Sequence, residues 1–94
     1  MNFYSRVSAI RIIGTVLVNH NMVYPGFGSQ ALRAREQAVD LLDEQALNAG
    51  KDVRKEVPTE LLDVILSRLA AEVENKTGKR LSLAQILPTG VLKC

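Results

Sequence analysis

Hydrophobic and polar positions alternate along this chain with helical spacing almost throughout. Over residues 3 to 20 the polar residues Ser8, Arg11, Thr15 and Asn19 recur at steps of three or four, and Val7, Ile10, Ile13, Val16 and Leu17 fill the opposite arc. This spacing favours a helix from Phe3 to about His20, with Asn2 placed to cap it. A competing pattern overlies it. Six of the nine residues from Ile10 to Val18 are β-branched, Ile10, Ile12, Val16 and Val18 share one parity, and Asn19-His20-Asn21 has turn composition. The alternative is therefore an N-terminal β-hairpin within residues 9–24.

Three further segments read as helices. Ser29 is placed as an N-cap and Gly50 as a stop for a helix over about 29–48, with Leu32, Val39, Leu42 and Ala46, joined by Ala38 and Leu41, as its apolar stripe. Lys51 to Val57 reads as a charged connector. A helix then begins at Pro58 or Thr59 and runs to about Lys76, where Thr77-Gly78 ends it. Its apolar face is Leu62, Ile65, Leu66, Leu69 and Val73, widened by Leu61 and Val64. Ser82 followed by Gln85 has capping-box spacing, and Leu81 with Ile86 has hydrophobic-staple spacing. They predict a short helix over 83–87, stopped by Pro88-Thr89-Gly90. The fold expected is one all-α domain over residues 1–94, a small bundle of three to four helices.

With 94 residues, 47% of them hydrophobic, the chain has room for one modest core. The aromatics are Phe3, Tyr4, Tyr24 and Phe27, so beyond the first third the core must be aliphatic. Ala9 to Val18 is interrupted by Arg11 and is too short for a bilayer span. A single cysteine, Cys94, excludes an intrachain disulfide framework. A cytoplasmic protein without a targeting segment or membrane association is the expectation.

The net charge of +2 hides a partition. Residues 1–35 carry four arginines and no acid, residues 36–74 hold all ten acids, and residues 75–94 are again purely basic. In the second helix Arg33 and Arg35 sit near the start and Asp40, Asp43 and Glu44 toward the end, opposite to what the helix dipole favours. Charges placed that way suit contacts with another surface.

Candidate chemistry is sparse. One histidine and one cysteine do not make a zinc ligand set, no glycine-rich phosphate loop occurs, and no nucleophile has an anchored base. No enzyme activity, cofactor, metal or small-molecule substrate is expected. Met22-Val-Tyr-Pro-Gly-Phe-Gly28 is a loop by its punctuation, yet carries four large apolar side chains, so it is either a lid on the core or an exposed contact patch. The leading expectation is a regulator, adaptor or inhibitor that docks on a larger protein or forms a homodimer. Met22, Val23, Tyr24 and Phe27 are its apolar anchor, and Arg33 and Arg35 its flanking charges. The alternative is a small nucleic-acid-binding regulator. It would use the basic turn Lys76, Lys79 and Arg80, with Gln85 on the short helix as the base-reading side chain.

Overall fold

Residues 9–24 do not form a hairpin. In a computed structural model, which describes residues 3–87, they belong to a helix and the loop after it. The chain runs through β1 (Phe3–Ser5), α1 (Arg6–Asn19), α2 (Gln30–Ala49), β2 (Glu56–Pro58), α3 (Thr59–Thr77) and the single-turn α4 (Leu83–Ile86). The expected bundle is present. What decides α1 against a strand is packing, because Ala9, Ile12, Ile13, Val16 and Leu17 fall on one arc and all enter the core.

The helix begins later than its periodicity suggests. Ser5 caps it, its Oγ accepting from the Ser8 amide at 3.1 Å, and Asn2 lies outside the described residues. Phe3 to Ser5 instead forms a strand antiparallel to β2, in the register Phe3 to Pro58, Tyr4 to Val57 and Ser5 to Glu56. The segment read as a charged connector thus supplies β2, and the buried Val57 at the centre of the pair faces the core. The Arg6 amide extends the ladder to the Lys55 carbonyl at 3.0 Å. The start of α1 is thereby clipped to the start of α3.

Helix α2 has the ends its sequence announces, with Ser29 accepting from the Leu32 amide and Gly50 in the left-handed region at φ 67°. Its buried face differs from the expected stripe. Ala34, Ala38, Leu42 and Ala46 are buried, whereas Leu32 is 52% exposed and Val39 only half-buried. The reason is close approach to α1. A Cβ on Gly14 would lie 3.7 Å from the Ala34 carbonyl oxygen, so small residues face each other where the helices meet.

Helix α3 buries Leu61, Leu62, Ile65, Leu66, Leu69 and Val73 and ends at Gly78, φ 77°; Val64 stays on the solvent side. After it, Ser82 and Gln85 make the reciprocal capping box, and Ile86 drops into the core beside half-buried Leu81. The helix ends at Ile86, one residue earlier than expected. Pro88 to Gly90 lie outside the described residues. The core contains no buried charged or polar residue among those described, and each large aliphatic in it contributes about 1.5–3 kcal/mol by leaving water. Among the described residues no helix is long and apolar enough to cross a membrane.

Candidate protein-interaction surface

The loop between α1 and α2 is built from both of its ends. Asn21 takes a positive φ of 55°, which turns the chain off α1 and lets the Met22 amide reach back to the Leu17 carbonyl at 2.8 Å. Met22 is consequently buried and Val23 half-buried against the core. Beyond Val23 the chain leaves the core, with Tyr24 72% and Phe27 102% exposed. The four apolar loop residues thus divide. Met22 and Val23 are the lid, and Tyr24 and Phe27 are the patch.

Two side chains of α2 hold this exposed half in place. Gln37 uses both ends of its amide, its Oε1 accepting from the Tyr24 amide at 3.1 Å and its Nε2 donating to the Met22 carbonyl at 3.0 Å. Arg33 Nη1 donates to the Tyr24 carbonyl at 2.6 Å, and the Arg33 stem packs under Gly26. The Arg33 Nε is buried without an acceptor among the described residues, so this cation is committed to the loop at some cost. Beside Tyr24 and Pro25 lies a shallow cleft of about 330 Å³ whose α2 side carries Glu36, Asp40 and Glu44 in line with Arg33. Arg33 therefore acts as a loop anchor at the head of an acidic stripe.

Arg35 is separated from this group. It lies two residues from Arg33, nearly half a turn around α2, and lines a groove against α1 together with Val7, Ile10, Arg11, Gly14 and Val18. Two of the inverted charges of α2 serve tertiary contacts: Arg33 holds the loop, and Asp43 accepts two bonds from Arg6 on α1.

The basic turn after α3 is partly committed to the fold. Lys76 Nζ donates to the Asn21 carbonyl at 2.8 Å and ties the end of α3 to the end of α1. Gln85 Oε1 accepts from the Ser82 amide at 2.9 Å, so its acceptor is engaged in the capping box. Lys79 and Arg80 are exposed, Arg80 beside Glu74 in a small cleft between α3 and α4. The four N-terminal arginines do not converge, since Arg6 is paired with Asp43, Arg33 with the loop, and only Arg11 and Arg35 share a surface.

One carboxyl departs from its ordinary titration. Arg54, through its side chain first and its backbone amide second, holds Asp52 down from 3.8 to about 2, with guanidinium bonds of 3.1 and 2.9 Å. The pair is at the surface of the connector, where with Lys55 and Glu56 it lines an open hollow. Among the described residues no group of three or more His, Cys, Asp or Glu is placed to hold a metal ion. His20 is half-exposed at the end of α1, and Cys94 lies outside the described residues. Two features escaped the sequence reading. The role of Gln37 has no local signal, and the sequence placed Val7 and Ile10 on the core-facing arc of α1, whereas Val7 is exposed and both line a groove with Gly14 and Val18.

No protein-family model matches the chain, and neither a curated protein nor a solved structure shows significant similarity to it.

Proposed function

We propose that this chain is a small protein-binding module, a regulator, adaptor or inhibitor that docks on a larger protein or on a second copy of itself. Its contact surface is the Tyr24–Phe27 loop with the face of α2 that carries Arg33. The observation that carries this reading is the full exposure of Phe27 on a loop whose backbone is tied at Met22 and Tyr24 by Gln37 and Arg33. An exposed aromatic on a mobile loop loses ordering entropy when it binds, and one on a tethered loop loses less. Aromatic anchors are also where interface energy concentrates.

A photo-crosslinking residue at position 27, compared with one at the exposed Leu47 on α2, tests the reading in extracts of cells that make the protein. The expected result is a discrete adduct from position 27 alone, weakened by Tyr24→Ala, with a mass that separates a second copy from a larger partner. Indistinguishable adducts from the two positions count against the reading.

The second reading, a nucleic-acid-binding regulator, draws support from Lys79 and Arg80, which are exposed and make no side-chain hydrogen bond or ion pair to another described residue. Titration into a labelled DNA duplex at about 50 and about 200 mM salt tests it, because phosphate-dominated binding collapses over that range. Lys79→Ala with Arg80→Ala abolishes that binding if the basic turn is responsible.

A further inference from the structure

Helix α1 is apolar over a wider arc than the core covers. Ala9, Ile12, Ile13, Val16 and Leu17 face the core, while Val7, Ile10, Gly14 and Val18 form a second arc beside it, with Gly14 buried, Ile10 and Val18 partly buried and Val7 exposed. Here the second arc, with Ala31 of α2, floors an open groove of about 390 Å³, and Val7 is 63% exposed. From Val7 to Val18 the groove follows about 16 Å of helix axis, roughly three turns.

The rim gives the groove a sign. Its only ionisable lining residues are Arg11 and Arg35, neither with a side-chain hydrogen bond or ion pair to another described residue. The Thr15 hydroxyl, also on the rim, already donates to the Arg11 carbonyl at 2.8 Å. An occupant thus needs apolar side chains for the floor and carboxylates for the two cations.

We infer that the α1/α2 groove receives an amphipathic helix of a partner protein, three turns long, with apolar residues at i, i+3 or i+4, and i+7 and acidic residues flanking that stripe. A second copy using the same groove brings Arg11 and Arg35 against their own duplicates, and this like-charge contact disfavours a two-fold pairing here. A copy offering one of its acidic faces instead makes a head-to-tail contact that does not close on itself. The groove is a different surface from the Tyr24–Phe27 loop and extends the proposed function without depending on it.

The test uses three fluorescent helical peptides of equal length: leucines at i, i+3 and i+7 with glutamate flanks, the same composition scrambled, and the leucine pattern with lysine flanks. Anisotropy is expected to show saturable binding of the first peptide only, weakened at least tenfold by Arg11→Glu with Arg35→Glu. That doubly reversed protein is expected to gain the lysine-flanked peptide, which a merely unfolded variant does not do. Tyr24→Ala with Phe27→Ala leaves the first peptide bound, which separates this groove from the loop surface. Equal binding of patterned and scrambled peptides, no binding of the first peptide, or binding indifferent to charge reversal overturns the inference. So does a concentration-dependent dimer by sedimentation that excludes the peptide from the groove.

Discussion

The Arg6 guanidinium meets the Asp43 carboxylate through two side-by-side bonds of 2.9 and 3.2 Å, across 37 positions of sequence. The same Nη1 also donates to the Val53 carbonyl at 3.1 Å, so one side chain joins the start of α1, the second half of α2 and the connector before β2. A cation in the first turn opposes the helix dipole, and this fork-like contact outweighs that sub-kcal effect.

Arg6→Ala is expected to destabilise the protein by about 1 kcal/mol, the upper end for a partly exposed pair, because a backbone contact is lost with it. For a domain of this size that lowers Tm by roughly 4–8 °C. Asp43 is about half exposed, so Asp43→Asn costs less. A double-mutant cycle read by urea unfolding at low salt and at about 1 M salt checks this: the coupling shrinks in salt if it is ionic.

Gly14 gives a prediction of opposite sign. A Cβ there meets Ala34 backbone atoms at ordinary contact distances of 3.7 and 3.8 Å. Gly14→Ala therefore fits, removes a flexible residue from the middle of α1, and is expected to stabilise by about 0.5–1 kcal/mol. Gly14→Leu pushes α1 and α2 apart and is expected to cost about 1–3 kcal/mol. Thermal melts of the two variants separate a position that needs smallness from one that needs glycine itself.

The pH behaviour of Asp52 follows from its bonds to Arg54. Its folded-state value of about 2 lies below the ordinary carboxylate value of 3.8, so the pairing stabilises the fold above that ordinary value. The contribution fades as pH falls from there toward about 2. Both side chains are largely exposed, so the effect on stability is small and the titration itself is the better readout. Carboxyl-carbon NMR is expected to place the Asp52 midpoint near 2 and to return it toward its ordinary value in Arg54→Ala.

What the sequence makes legible is what depends on near neighbours. Ser29, Gly50, Gly78 and the Ser82–Gln85 box mark helix ends through bonds that span three or four residues, and all four are where local chemistry puts them. Which face of α2 is buried depends on Gly14, a residue of another helix, and the larger Leu32 lost to Ala34 because only small side chains fit that approach. Strands of three residues have no periodicity to read, and β1 and β2 define each other only once the chain brings residues 3–5 and 56–58 together. Of the candidate surface, the loop was legible from its composition. Its division after Val23 was not, because Gln37 imposes it from α2.

That division is itself testable. Met22 is buried and Phe27 fully exposed, five residues apart in one loop. Met22→Ala is expected to cost about 2–5 kcal/mol, as for other core truncations, while Tyr24→Ala and Phe27→Ala each stay within about 0.5 kcal/mol of the parent. Gln37→Ala removes two hydrogen bonds to the loop backbone and is expected to cost about 1–2 kcal/mol, with faster amide exchange at Tyr24 as its local signature. Gln37→Glu keeps the acceptor for the Tyr24 amide and loses the donor to the Met22 carbonyl, so it should fall between the two. Chemical denaturation of the four alanine variants, with exchange on the Gln37 pair, decides the matter. If Phe27→Ala costs as much as Met22→Ala, Phe27 belongs to the core in solution and the loop is a lid along its whole length. If, of the three loop residues, only Met22→Ala is costly, the exposed aromatic pair contributes almost nothing to folding and is free to serve the contact proposed for it.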